Sequence, residues 1–158
     1  MLISLEPVAY VSSSRGAALD DDWDAETATI QLVDGFDAAA LEGLSAFSHV
    51  EVLFHFHLVG AQDVLNGARH PRGNADWPLT GIFAQRGKAR PNRLGSTICR
   101  LLGVEGTRIA VSGLDAIDGT PVLDIKPVIQ GFLPRGEFHQ PRWASELMLE
   151  YWAKDEFH

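Results

Sequence analysis

Cysteine is almost absent from this sequence, which has a single one, Cys99, among 158 residues. One cysteine cannot form an intrachain disulfide, and a reducing cytoplasm is the compartment we expect. Cys99 lies in the apolar stretch 97–102, which predicts a buried packing thiol in preference to a nucleophile. Long hydrophobic runs are also missing: no stretch reaches the roughly 18 apolar residues of a membrane span, and the start of the chain does not resemble a signal peptide.

Several nucleotide-site motifs are missing as well. The sequence has no G-x-G-x-x-G after a predicted strand and no G-x-x-x-x-G-K-[ST], which argues against a dinucleotide fold and a P-loop. It also has no G-x-S-x-G elbow, so a serine hydrolase of the α/β class is not indicated. Any ligand site must therefore be built on a different architecture.

Basic residues are scarce outside one segment. Residues 1–68 contain one, Arg15, against eleven acidic residues, whereas residues 69–100 contain seven basic residues and one acid, Asp76. The net charge of −8 argues against general nucleic-acid binding by the chain as a whole. The basic segment predicts a local anionic ligand, with a solvated loop surface as the alternative.

The distribution of apolar residues favours strands. Strands are predicted at residues 27–33, 50–59, 81–84 and 108–112, and residues 94–102 are expected to be a strand with a helix as the alternative. The stretch 50–59 is apolar enough to be buried on both faces. The turn signal Asp118-Gly119 predicts a hairpin between strands at 114–117 and 121–129.

Helices are predicted to be few and short. One is expected at residues 37–44 and an amphipathic one at 141–152, with Trp143, Leu147 and Tyr151 on its apolar face. Short strands with few helices indicate a mainly β fold. We therefore expect one domain over residues 1–158, a β-rich domain or small β-barrel with short helices and a C-terminal helix.

Four segments carry the chemically informative residues. They are 48–57 (S-H-V-E-V-L-F-H-F-H), 81–86 (G-I-F-A-Q-R), 90–96 (R-P-N-R-L-G-S) and 113–127 (G-L-D-A-I-D-G-T-P-V-L-D-I-K-P). In this order and at this spacing they resemble the TsaA/TrmO family of S-adenosylmethionine-dependent tRNA methyltransferases. The resemblance covers about half of the chain.

The resemblance implies a fold, a cofactor and a substrate. Family members are small β-barrels that bind S-adenosyl-L-methionine, form homodimers with the site near the subunit interface, and methylate N6 of threonylcarbamoyladenosine beside the tRNA anticodon. Carried over by motif, the cofactor contacts are His57, Leu58, Arg86, Ser96, Ala116, Ile117, Asp118 and Gly119.

The chain departs from the family pattern at several positions. The Pro-Arg-Gln cofactor segment, expected within residues 12–28, has no counterpart. The glutamine that usually follows the last histidine is Leu58, the usual Thr-Arg-Ser-Pro is Gln-Arg-Gly-Lys at 85–88, and the second proline of R-P-N-P is Arg93. Two alternatives therefore stay open: methylation of a substrate other than tRNA, and a cofactor sensor without turnover.

The chemistry of methyl transfer assigns roles to these residues. Transfer from a sulfonium is an in-line displacement that needs no metal, so the protein mainly supplies orientation. Arg86 suits the methionine carboxylate, which a guanidinium binds through two parallel bonds; a surface arginine at a strand end is the alternative. An acylated adenine N6 is a poor nucleophile, and a base with a pKa near 7 would assist. The candidate catalytic residues are His49, His57 and Asp118, and a core histidine is the alternative for His49.

The basic segment is the expected tRNA surface. The candidate substrate contacts within it are Lys88, Arg90, Asn92 and Arg93, and the cationic side chains among them would meet phosphates. Asp124 and Lys126 are predicted to form a structural pair.

A metal-binding, cupin-like protein is the remaining alternative. His55 and His57 stand at i and i+2, where a strand presents both on one face. A third ligand would have to come from Glu51, Asp63 or His70. The acidic ligand expected a few residues on is missing, so we expect no metal site.

Overall fold

The computed structural model describes residues 1–17 and 19–152, and it contains a closed antiparallel barrel of six strands. The strands of the chain are β1 (Ala9–Ser13), β2 (Thr27–Leu32), β3 (His49–His55), β4 (Ala68–Arg69), β5 (Thr80–Gly81), β6 (Leu94–Glu105), β7 (Arg108–Ser112) and β8 (Pro121–Pro127). The barrel order is β1-β2-β7-β6-β3-β8, and β4 and β5 form a separate pair. The predicted mainly β barrel is confirmed.

The core lies inside the barrel and is built by alternation along the strands. In β3, Val50, Val52 and Phe54 are buried, while the residues between them are partly exposed. The prediction that residues 50–59 form a strand buried on both faces is wrong, and the strand ends at His55. A barrel covers only the inner face of each strand, so the outer face of β3 stays accessible.

Two other predicted strands are replaced by other structures. The segment 81–84 is a strand only at Gly81, in β5, and continues as the 3₁₀ helix Ile82–Ala84. Residues 114–117 are a loop, so the predicted hairpin is wrong. Leu114, Ala116 and Ile117 are all buried, which strand alternation does not allow, and the loop packs them into the barrel core and against it.

The helical predictions are confirmed in place but not in length. The 3₁₀ helix Ala38–Leu41 begins after Asp37, whose side chain accepts a 2.9 Å bond from the amide of Ala39. The predicted helix at 141–152 is an α-helix, α1, only over Arg142–Leu147, and turns follow it. No helix among the described residues has both the length and the apolar character needed to cross a membrane.

Residues 142–152, the C-terminal strap, are held by a loop of the barrel. The carbonyls of Glu150 and Tyr151 accept bonds of 3.0 and 2.9 Å from the amides of Asp22 and Trp23, and the Trp152 carbonyl accepts one from the amide of Asp24. These bonds fasten the end of the strap to the loop, beyond the end of α1 at Leu147.

Candidate functional site

The loop 115–119 connects β7 to β8 and is the best-anchored part of the candidate site. The amide of Asp118 donates to the Arg15 carbonyl at 2.8 Å, and the amide of Gly119 donates to the Val11 carbonyl at 2.8 Å. An Asp118 carboxylate oxygen accepts a 3.0 Å bond from the Ser13 amide. Ala116 and Ile117 bury their side chains, so only their backbone atoms are available to a ligand.

His57 lies beside the turn of this loop. Gly119 has a φ of 81°, in the left-handed region that favours glycine, and a Cβ added there would stand 4.0 Å from His57 Nε2. His57 follows the end of β3 in a turn, and the neighbouring Leu58 is exposed. The structure thus places His57 beside the turn that contains Asp118 and Gly119.

Arg86 and Ser96 are joined directly. The Arg86 guanidinium donates to the Ser96 carbonyl, and the Ser96 hydroxyl donates to a Glu51 carboxylate oxygen at 2.8 Å. Ser96 lies on the outer face of β6, which sets its hydroxyl among the side chains of β3. Within the described residues Arg86 has no carboxylate partner, so its positive charge is not neutralised by the protein.

Sequence reasoning did not single out Asp115 and its partners. One Asp115 carboxylate oxygen accepts from the Thr97 hydroxyl and the other from the Tyr151 hydroxyl. Burial and the Asp115 carboxylate raise the pKa of Tyr151, while Arg86 and Arg72 act in the opposite direction. A buried tyrosine hydroxyl usually has a partner, and this was the one available signal, but only the fold identifies Asp115.

Residues 85–93, the arginine loop, hold their guanidiniums on carbonyl oxygens. Arg90 donates to the Gln85 carbonyl at 2.6 Å, and Arg93 to the Val59 carbonyl at 2.5 Å. Asn92 and Arg93 have φ values of 62° and 52°, and a proline at 93, as in the family pattern, could not adopt this backbone. Lys88 is exposed and makes no ion pair within the described part of the chain.

His49 is not brought to this group. It opens β3, and six residues separate it from His55, which at 3.3 Å per residue is about 20 Å along the strand. Its Nδ1 lies 2.7 Å from the Ser48 hydroxyl, and with Arg100 and Trp152 it lines a cavity of about 230 Å³. The proposal of a catalytic role for His49 stays a prediction.

Two structural predictions for side chains near the site are confirmed. Cys99 is buried, and burial, with a smaller contribution from Asp115, raises its pKa to about 12, which keeps the thiol protonated. Lys126 Nζ lies 2.7 Å from an Asp124 carboxylate oxygen, the predicted pair.

The predicted histidine pair on one strand face is wrong, because β3 ends at His55 and His57 lies in the following turn. Burial lowers the pKa of His55, with smaller contributions from the charges of Arg93 and His57. In the described residues no group of three histidine, cysteine, aspartate or glutamate side chains is arranged to hold a metal ion.

Comparison with known proteins relates this geometry to named relatives. The chain is 46% identical over 93 residues to the tRNA (adenine(37)-N6)-methyltransferase of Mus musculus, covering 59% of this chain and 21% of that one. It is 44% identical over 88 residues to the probable S-adenosyl-L-methionine-binding protein of Methanothermobacter thermautotrophicus, covering 56% and 60%.

A solved structure has the same fold. The crystal structure of TrmO from Pseudomonas aeruginosa superimposes with a TM-score of 0.71 at 32% identity, covering 88% of this chain and 62% of that one. The chain thus spans less than two thirds of the length of each of these three proteins. The model of the tRNA-methyltransferase O N-terminal domain family matches residues 18–132. With that match over most of its length, the chain belongs to the tRNA-methyltransferase O N-terminal domain family.

Proposed function

We propose that this chain binds S-adenosyl-L-methionine between Arg86 and the loop 115–119 and transfers its methyl group to a nucleic acid. The proposal rests on the hydrogen bonding and the unneutralised charge of Arg86. Its guanidinium is held by the Ser96 carbonyl and lacks a carboxylate partner among the described residues. A fixed, unneutralised guanidinium is suited to a ligand carboxylate.

The residues present fit this cofactor. The turn at Gly119 has no side chain, so its backbone can approach a ligand next to His57. Arg69 lies near the same loop as Arg86, since its guanidinium is 2.7 Å from where a Cβ of Gly87 would stand. Among the described side chains Arg69 Nε is buried without a hydrogen-bond partner, which is consistent with an anionic group binding nearby. When bound, S-adenosyl-L-methionine supplies an electrophilic methyl group.

His57 is the base we propose for the acceptor nitrogen. Its Nε2 faces the turn at Gly119, whereas His49 lies at the far end of β3. Asp118 is a weaker candidate because its carboxylate already accepts the Ser13 amide. We propose that the cofactor is contacted by His57, Leu58, Ser96 and residues 116–119. Ala116 and Ile117 would contact it through their backbone atoms.

The acceptor we propose is threonylcarbamoyladenosine next to a tRNA anticodon, at its N6. Support comes from the names of relatives and from the arginine loop, where Lys88, Arg90 and Arg93 lack carboxylate partners in the described chain. We propose these residues and Asn92 as tRNA contacts. An anticodon-loop base is unpaired, so moving it into a pocket costs little.

We also propose that the protein acts as a homodimer in the cytoplasm. Exposed apolar side chains support the dimer, notably Leu58, Phe83, Phe132 and Phe138, with exposures of 68, 79, 89 and 69%. Leu58 and Phe83 belong to the segments that build the candidate site, so a second copy would cover its surroundings. Light scattering at micromolar concentration tests this, and a monomer would contradict it.

The methyltransferase proposal is tested by two measurements. Calorimetric titration with S-adenosyl-L-methionine detects binding, and transfer of a radiolabelled methyl group to total tRNA detects turnover. Binding with turnover on tRNA is the expected result. Binding without transfer to tRNA would favour another acceptor or a cofactor sensor, and absence of binding would refute the proposal.

A further inference from the structure

The C-terminal strap lies outside the part of the chain that the family model matches, which ends at residue 132. It nevertheless reaches the candidate site. The Tyr151 hydroxyl donates to Asp115, the first residue of the loop that carries Gly119. The strap is therefore more than a cover for the barrel, since it places a polar group at the base of the cofactor loop.

The strap is fastened at two further points around the site. The Trp77 indole donates to a Glu146 carboxylate oxygen at 2.8 Å, which ties α1 to the loop between β4 and β5. The last carbonyls of the strap cap amides of residues 22–24. That loop is where the family's Pro-Arg-Gln cofactor segment is expected and where this sequence has none.

The loop that receives the strap is itself rigidly held. Arg15 bonds to Glu26 at 2.8 Å and to the carbonyls of Asp21 and Asp22 at 2.8 and 2.7 Å, and its guanidinium lies 3.9 Å from the centre of the Trp23 ring. Trp23 is buried. The Arg15 carbonyl accepts the amide of Asp118, so the loop and strap meet the cofactor loop from two sides.

We propose that Tyr151 is a positioning residue of the cofactor site: by holding Asp115, it fixes the backbone of residues 115–119 against which the cofactor binds. Thr97, from inside the barrel, holds the other carboxylate oxygen of Asp115. With both oxygens bonded, Asp115 cannot rotate, and the turn at Gly119 keeps the position that faces His57.

This inference takes its ligand, S-adenosyl-L-methionine, from the proposed function and rests on that function. The variant Tyr151→Phe tests it. The phenyl ring keeps the packing and removes only the hydroxyl. The chain has one other tyrosine, Tyr10, so Tyr10→Phe is a matched control in β1. In calorimetry with S-adenosyl-L-methionine, Tyr151→Phe should weaken binding about tenfold or more, the scale of one hydrogen bond to a charged group. Tyr10→Phe should leave binding unchanged.

A double-mutant cycle with Asp115 distinguishes a positioning role of Tyr151 from a role in packing alone. In an Asp115→Ala background, which lacks both carboxylate oxygens, adding Tyr151→Phe should cost much less than it costs in the wild type, because both changes remove the same interaction. Independent, additive losses would mean that Tyr151 acts by packing alone, which would overturn the inference.

Hydrogen exchange gives a readout that needs no cofactor. In Tyr151→Phe the amides of Asp118 and Gly119 should exchange faster, while those of Val50 and Val52 in the barrel should not. If the wild type bound no cofactor, the proposed function would fail, and exchange would still decide the positioning role. Unchanged exchange at residues 118 and 119, or unchanged cofactor affinity in a wild type that binds, would refute the role of Tyr151.

Discussion

The barrel and the arginine loop differ in what holds their side chains. Barrel residues such as Val50, Ile109 and Val122 are completely buried and are held by packing between paired strands. The arginine loop buries little, and its guanidiniums rest on carbonyl oxygens. A carbonyl fixes an arginine without cancelling its charge, whereas a carboxylate does both. Stability should therefore reside in the barrel and ligand binding in the loop, and substitutions should separate the two.

The largest effect is expected in the barrel, at Phe54. Its ring is buried, packs edge to face on Phe56 with centroids 5.4 Å apart, and occupies the space left by the absent side chain of Gly95. Phe54→Ala should lower the free energy of unfolding by about 3–5 kcal/mol, measured by chemical denaturation. Leu5→Ala, at an exposed position, is the control and should change it little. A stable Phe54→Ala variant would break the comparison.

The next largest effect is expected at Arg86, where cofactor binding should change and stability should not. Arg86→Ala should weaken S-adenosyl-L-methionine binding by about 1.5–3 kcal/mol, the worth of a hydrogen bond to a charged group, and leave stability within about 0.5 kcal/mol. Calorimetry and denaturation check the two parts. Arg108→Ala is the control, since Arg108 bonds to Gln31 on the barrel at 2.8 Å. Wild-type affinity in Arg86→Ala would remove the carboxylate-binding role.

A smaller effect is expected for reversal of charge at Lys88 and Arg93. The double variant Lys88→Glu, Arg93→Glu should raise the KM for tRNA and leave cofactor affinity nearly intact. If each contacts one phosphate of a single strand, the slope of log affinity against log salt should fall by about 1.4. Arg108→Glu with Arg135→Glu reverses as many charges elsewhere and should not do this. Normal tRNA methylation by the loop variant would identify the arginine loop as a solvated surface.

The smallest effect concerns His55, where the barrel meets the arginine loop. Burial, followed by smaller electrostatic contributions from Arg93 and His57, lowers the pKa of His55 below 6.5, so the unfolded chain binds its proton more readily. Its contribution to stability is present above pH 6.5 and is lost as the pH falls through that value towards the folded-state pKa. His55→Gln should therefore lose less stability than the wild type on acidification, as measured by Tm against pH. Exposed His139→Gln is the control, and an identical pH dependence in His55→Gln would contradict the assignment.

Several features of the fold could be predicted from local patterns alone. The alternation at 27–33 and 108–112 and the N-cap Asp37 depend on neighbours in sequence, and they appear as β2, β7 and a capped 3₁₀ helix. The hairpin at Asp118-Gly119 fails because the same turn chemistry also serves a loop that enters a strand. Burial of three of the residues 114–117 decides between the two, and burial is a property of the closed barrel.

The candidate site divides in the same way. The sequence determined the barrel class, the basic segment and the residues that carry the family's motifs, because strand alternation, charge and motif spacing are properties of neighbouring residues. The tertiary structure alone decided that Arg86 has no carboxylate partner in the described chain and that Tyr151 holds Asp115. These depend on contacts between distant residues, of which Tyr151 and Asp115 are separated by 36 positions. Barrel closure and the docking of the strap create such contacts, and no local pattern encodes them.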